Sequence, residues 1–306
     1  MNIIFEDLLH KFVETYLDDI IIFSNSLKEH VQHVKIVVDR LVKYVLKIRL
    51  DKCKIAEQRI EYLSHIIQNG CIQPNPQKIK DLLKYEPPLT QKQTHALIGK
   101  ATYYKHFIRD FAQIAAPLYE FISTVQKIKW ENSMTVSVKT LQHKLTNEPF
   151  LILPHLNEPF RVETDASGYG IGGVLTQERL LNTQNEWLPV AYFSQRLNKC
   201  ERNYSATEKE LYAIVNAIEY FRQFLYGFNF KVLTDHKPLE YFLTAPELKS
   251  RHLRWLNRLN PYQYTTEYLK GKKNGNADGH SRLPNEDSED EDENVNEEEP
   301  IPINVV

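Results

Sequence analysis

The 306-residue sequence predicts an α/β multidomain fold, α+β at the level of the whole chain, on three observations. Its length exceeds what one average core fills, so two or three domains are expected. Its composition, 42% hydrophobic and 25% charged, is that of a globular chain rather than a disordered or membrane one. Finally, β-prone stretches alternate with long helical periodicity, most clearly from Phe160 onward.

Residues 12 to 23 hold two β-prone runs separated by Asp18 and Asp19, which reads as strand, turn, strand. Ser26 followed by Glu29 starts a helix, and Leu27, Val31, Val34, Val38, Leu41 and Val45 form an apolar stripe along it, expected to face a core. Around Ile60 to Ile72 the Asn69-Gly70 pair marks a hairpin turn, because Asn-Gly accepts positive φ at both central positions. Pro87-Pro88 breaks the chain, and Thr90 with Gln93 restarts a helix that runs towards Tyr103, Tyr104 and Phe107. Prolines 117, 149, 154 and 159 punctuate the next stretch, so a connecting segment ends near 155.

Beyond it, strand-like stretches are expected at about 160–166, 170–177, 188–197, 229–235 and 262–270. The strongest helix is 206–226, with Leu211, Ile214, Ala217, Ile218, Phe221 and Leu225 on one face. After Leu283-Pro284 the chain is acidic and poor in aromatics, a solvated tail.

The formal charge of −2 is uneven: residues 286 to 299 contain ten Asp and Glu and no Lys or Arg, and removing those ten leaves +8 on residues 1 to 285. A basic body suits a nucleic-acid partner as well as plain solubility. Cys53, Cys71 and Cys200 lack the paired spacing of a zinc knuckle or disulfide framework. No basic start leads into an apolar run and no stretch approaches 18 apolar residues, so neither a signal peptide nor a membrane span is expected.

The carboxylates carry the chemistry. At a hairpin, Asp18 and Asp19 alone are ordinary turn residues. Asp165 ends a strand beside the small residues Ala166, Ser167 and Gly168, with Gly170, Gly172 and Gly173 allowing close backbone approach. With Ser205 as N-cap, Glu208 stands at the third helical position and reaches back to the cap. Glu210, about 200° further round the helix, is free to face a site. Asp235 closes another apolar strand, where a lone Asp would serve as an N-cap. Lys249, Arg251, Arg254 and Arg258 share a short helix, the three arginines at i, i+3 and i+7; such a stripe is either a solvated face or a sequence-independent phosphate contact. Trp255 and Leu256 read as core.

Tyr16-Leu17-Asp18-Asp19 between apolar strands resembles the tyrosine-x-aspartate-aspartate hairpin of reverse transcriptases. Leu50-Asp51-Lys52-Cys53, Tyr62-Leu63-Ser64-His65, Tyr103-Tyr104-Lys105-His106-Phe107-Ile108 and Ala115-Ala116-Pro117-Leu118 follow in order. Thr164-Asp165-Ala166-Ser167-Gly168, Glu208-Lys209-Glu210-Leu211, Thr234-Asp235-His236-Lys237-Pro238-Leu239 and Asn276-Ala277-Asp278-Gly279-His280 complete the series. Together, over residues 10 to 284, these are similar to the pol polyproteins of gypsy-class long-terminal-repeat retrotransposons.

The resemblance implies a palm end over 1–85, thumb and connection over 86–156, a ribonuclease H-like domain over 157–284 with a mixed five-stranded sheet and flanking helices, and an acidic tail over 285–306. It implies RNA–DNA hybrid cleavage by Asp165, Glu210, Asp235 and Asp278, an oxygen-only set suited to two Mg²⁺ or Mn²⁺ ions. Asp18 and Asp19 would be polymerase metal ligands. The family's third polymerase aspartate lies on an earlier strand, and 15 residues precede Tyr16, so polymerase activity is expected only with that part supplied. Glycine usually stands where Ser64 does.

Tyr62, Leu63, Ser64 and His65 would contact template-primer, and Arg251, Arg254 and Arg258 the hybrid. His236 and His280 read as bland. Other parts of the polyprotein are expected partners, and a cytoplasmic particle or the nucleus the location. The alternative is a non-catalytic remnant or an adopted nucleic-acid-binding module.

Overall fold

The computed structural model describes residues 1–123, 129–147, 150–181, 184–234 and 249–268. The chain forms two compact units that part between Ile60 and Glu61. The parting falls inside the stretch assigned from sequence to the palm.

In the first unit, β1 (Val13–Tyr16) and β2 (Asp19–Ile22) pair antiparallel, Val13 with Ile22 and Tyr16 with Asp19. The two-residue turn is therefore Leu17-Asp18, with Leu17 at φ 53°, and Asp19 belongs to the strand. Helix α1 (Leu27–Lys43) is capped by Ser26, whose side chain accepts from the Glu29 N–H, while the Glu29 carboxylate accepts from Asn25 N–H. Only part of the expected stripe is covered. Val37 and Leu41 join Phe5, Leu8 and Val13 in a small core, whereas Leu27 and Val31 are 68% and 62% exposed and Val45 lies past the helix end. Geometry explains the difference: four-residue strands span about 13 Å, and a 17-residue helix runs about 25 Å.

Short strands come next, the first of them running across the parting. β3 (Arg59–Tyr62), β4 (His65–Gln68), β5 (Cys71–Pro74) and β6 (Leu151–Ile152) lie in that order. The Asn69-Gly70 turn joins β4 to β5 with φ values of 51° and 69°, as two-residue hairpins require. A second such turn, Leu63-Ser64, precedes β4 with φ values of 48° and 62°. Helices α2 (Pro76–Leu83), α3 (Gln91–Tyr103), α4 (Phe111–Ile114), α5 (Ala116–Ser123) and α6 (Asn132–Asn147) follow. The Thr90/Gln93 capping box expected for α3 is present in both directions. Their apolar faces form one core around Leu97, Ile108, Leu118 and Leu141.

Five further strands make a mixed sheet: β7 (Phe160–Ala166), β8 (Gly170–Leu181), β9 (Gln184–Arg196), β10 (Asn229–Thr234) and β11 (Gln263–Tyr268), in the order β11-β10-β7-β8-β9. β7, β8 and β9 run antiparallel in sequence; β10 is parallel to both β7 and β11. Helix α7 (Ala206–Tyr220) packs on this sheet, followed by α8 (Arg222–Leu225) and α9 (Ser250–Leu259). The long helix expected over 206–226 is thus broken at Phe221, the C-cap of α7. A second core gathers Phe160, Val162, Leu175, Leu211, Ile214, Ile218 and Val232.

The segment before β7 is held by Gln177 of β8, which is wholly buried. Its amide nitrogen donates to the carbonyls of His155 (2.7 Å) and Glu158 (2.9 Å), and its amide oxygen accepts from the His155 N–H (2.9 Å). Among the described residues, no helix is long and apolar enough to cross a membrane.

Candidate active site

Asp165 stands near the end of β7, opposite Gly172 of β8. It is exposed, and its carboxylate accepts a hydrogen bond from the Ala166 N–H at 2.9 Å. The chain then turns at Ser167, whose hydroxyl donates to the Gly170 carbonyl and accepts from the Gly170 N–H.

Two glycines beside Asp165 serve opposite faces of the sheet. A Cβ on Gly173 would sit 3.1 Å from the Ala217 methyl and 3.2 Å from the Glu163 carbonyl oxygen, so glycine there lets α7 approach. A Cβ on Gly172 would meet Asp110 Oδ1 at 3.0 Å, so on the other face the notch is filled by a carboxyl from the N-terminus of α4.

Helix α7 sorts its two glutamates by phase. Ser205 and Glu208 form a complete capping box, the Ser205 N–H reaching Glu208 Oε2 at 2.9 Å. Glu208 Oε1 also accepts from Arg251 and lies 2.8 Å from His252 Nε2, both on α9. Burial raises the Glu208 pKa, but hydrogen bonds from Ser205, His252 and Arg251 outweigh it and hold the group at about 2. Glu208 is therefore an ionised strut between two helices. Glu210 is 5% exposed and lies seven residues before Ala217, on the same helical stripe that touches the sheet.

Asp235 and Asp278, with His236 and His280, lie outside the described residues; β10 is described to Thr234 and sits beside β7. Among the described residues, no three His, Cys, Asp or Glu side chains gather as a metal centre. The two described members of the set, Asp165 and Glu210, offer oxygen donors alone, which fits hard divalent cations.

The residues expected to contact nucleic acid have varied surroundings. Asp18 and Asp19, the expected polymerase ligands, are exposed on the β1–β2 hairpin. In the Leu63-Ser64 turn, the Leu63 carbonyl accepts from the Tyr103 hydroxyl (2.9 Å), and the Ser64 carbonyl accepts from the Asn75 N–H (3.1 Å). Tyr62 is half-buried in β3. The His65 ring is buried among Tyr103, Tyr104, His106 and Phe107, and burial lowers its pKa.

On α9, two arginines of the stripe pair with glutamates of α7. Arg251 pairs with Glu208 and lies over the Tyr204 ring (4.4 Å), and Arg258 Nε meets Glu219 Oε1 at 2.5 Å. Arg254 alone of the three is exposed.

Asp110 was not legible as a site residue. Burial raises its pKa, and the charge of Asp165 adds in the same direction while Arg109 and Lys144 oppose. No local pattern marks it, because the sheet residues beside it belong to a distant part of the sequence.

A three-stranded antiparallel meander extended by two parallel strands, with a helix across it and acids on the first strand and that helix, defines a ribonuclease H-like domain. Known proteins agree with that class. The family described as "RNase H-like domain found in reverse transcriptase" matches residues 155–262, and "Reverse transcriptase (RNA-dependent DNA polymerase)" matches residues 1–67.

The chain is 37% identical over 289 residues to the retrovirus-related Pol polyprotein from transposon 297 of Drosophila melanogaster, covering 94% of this chain and 26% of that protein. It is 33% identical over 286 residues to the Pol polyprotein from transposon opus of the same species, covering 90% and 28%. It is 30% identical over 301 residues to the Tf2-3 transposon polyprotein of Schizosaccharomyces pombe, covering 95% and 22%. The chain spans about a quarter of the length of these relatives.

Among solved structures, a foamy viral protease-reverse transcriptase in complex with RNA/DNA hybrid superposes with TM-score 0.73 at 20% identity, covering 98% of this chain and 39% of that one. The dRH form in complex with ds DNA gives 0.75 at 19%, covering 93% and 48%. At such identities the likeness is one of fold.

The chain is thus a homologue of the Pol polyproteins of gypsy-class long-terminal-repeat retrotransposons, with a reverse transcriptase match followed by a ribonuclease H-like domain.

Proposed function

We propose that the sheet-and-helix domain from residue 157 onward cleaves the RNA strand of RNA–DNA hybrids endonucleolytically, with Mg²⁺ or Mn²⁺ as cofactor. The observation that carries this is the division of labour on α7. Its capping box and α9 occupy Glu208, and Glu210 lies on the stripe of α7 that faces the sheet whose first strand carries Asp165.

In this reading Asp165 and Glu210 hold the cations together with Asp235 and Asp278, and no side chain acts as nucleophile. Bound divalent cations supply activation of a water and stabilisation of the departing 3′ oxygen. The foamy viral neighbour bound to RNA/DNA hybrid supports hybrid as the ligand, and exposed Arg254 supplies a phosphate contact without sequence preference. Asp18 and Asp19 would serve template-directed synthesis within the longer polyprotein.

The test is a cleavage assay on the purified chain with a labelled hybrid, with Mg²⁺ and with chelator. Asp165→Asn and Glu210→Gln should each lower the rate by about a hundredfold or more, as expected when charge stabilisation is removed from a site, while both variants melt as the parent does. A folded parent chain that leaves the hybrid uncut in Mg²⁺ would refute the proposal.

A further inference from the structure

We infer that Asp110 is a positioning residue of this site: from the N-terminus of α4 it fills the notch left by Gly172 beside Asp165, and it orients the water shell of the cation that Asp165 would hold. The inference rests on the reading of Asp165 as a metal ligand.

The geometry is built from two contacts. Asp165 and Gly172 are opposite partners in the β7–β8 ladder, so their side-chain directions share one face, with Cβ positions about 5 Å apart. Asp110 Oδ1 lies 3.0 Å from where the Gly172 Cβ would be. The carboxyl oxygen is thus no more than about 8 Å from the Asp165 Cβ. Within that separation one water can link the Asp110 carboxyl to a cation held at Asp165.

The placement is held from outside the catalytic sheet. The Ala112 N–H donates to Ser194 Oγ of β9 at 2.8 Å, and a Cβ on Gly170 would meet the Ala112 methyl at 3.4 Å. Asp110 itself adopts φ 57°, a left-handed conformation that Asp and Asn tolerate better than other side chains. Arg109, its ion-pair partner, is 3.8 Å away. One end of the helical region before the sheet is thereby built into the carboxylate end of the sheet.

Outer partners of this kind change metal affinity by about tenfold or more when removed. The full 306-residue chain, its Asp110→Asn, Gly172→Ala and double variants would be titrated with Mn²⁺ alone, followed by electron paramagnetic resonance, and each melted as a folding control. Asn keeps the left-handed backbone, and alanine at Gly172 displaces only the end of the Asp110 side chain.

Each single variant should weaken Mn²⁺ binding by about tenfold, and the double variant should be no weaker than Asp110→Asn alone, because both changes act on the same Asp110 carboxylate. In hybrid cleavage the Mg²⁺ needed for half-maximal rate should rise by the same factor, with the rate at saturating Mg²⁺ retained. Parent-like Mn²⁺ affinity in a folded Asp110→Asn, or additive losses in the double variant, would overturn the inference. Weakened Mn²⁺ binding by Asp110→Asn in a chain that cuts no hybrid would uphold it and sink the cleavage reading instead.

Discussion

Replacing Glu208 by Gln removes one negative charge from a buried contact between α7 and α9 and leaves the shape nearly unchanged. The carboxylate has hydrogen-bonding partners in Ser205, Arg251 and His252. Its pKa falls from the ordinary 4.5 to about 2, and at about 1.4 kcal/mol per unit this corresponds to roughly 3 kcal/mol of stability. An amide keeps one acceptor oxygen for the N-cap or for Arg251, so the loss at neutral pH should be about 2–3 kcal/mol. For a unit of this size that lowers the melting temperature by about 5–10 °C.

Because the folded pKa is depressed, the contribution is complete above about 4.5, fades as pH falls through the interval down to about 2, and is absent in the Gln variant throughout. Thermal melts followed by circular dichroism between pH 2 and pH 7 therefore should show the two proteins converging as acid is added. Hybrid cleavage well below the melting temperature should survive the substitution. Identical melts at pH 7 would show that the network contributes nothing; an unaltered melt with cleavage abolished would mean that Glu208, rather than Glu210, serves the site.

Two further substitutions test the frame around the site. Gln177→Leu removes the partner of the His155 N–H and of the carbonyls of His155 and Glu158, at about 0.5–1.5 kcal/mol for each hydrogen bond lost; hydrogen exchange should rise first over residues 153–159, and unchanged protection there would refute the clasp. Ser64→Gly relieves a left-handed non-glycine residue at φ 62° and should raise the melting temperature by the equivalent of about 1 kcal/mol, whereas a lowered melt would show that the serine side chain stabilises the turn by more than its backbone costs.

Local chemistry in the sequence determined a large share of this protein. The capping boxes at Thr90/Gln93 and Ser205/Glu208, the Asn69-Gly70 turn and the five β-prone stretches after Phe160 are each specified within a few residues, and each stands in the structure. Helix phase also separated Glu208 from Glu210, because three and five residues past the same cap point to different sides.

Tertiary structure decided what depends on partners far away in the chain. Arg251 and Arg258 belong to the periodic stripe that the sequence shows, but only the packing of α9 on α7 decides that they pair with Glu208 and Glu219. Nothing near His65 in the sequence marks it as buried; the rings of Tyr103, Tyr104 and Phe107, some forty residues on, cover it. The α1 stripe continues past the hairpin that could cover it, so strand length rather than helix pattern sets what is buried. Asp110 reaches the notch at Gly172 only because α4 docks on β8 and β9, and a missing side chain at Gly172 carries no sign of which residue will fill its space. Caps and turns are settled by bonds between near neighbours; sites and clasps are settled by which surfaces meet, and that follows from the packing of whole elements.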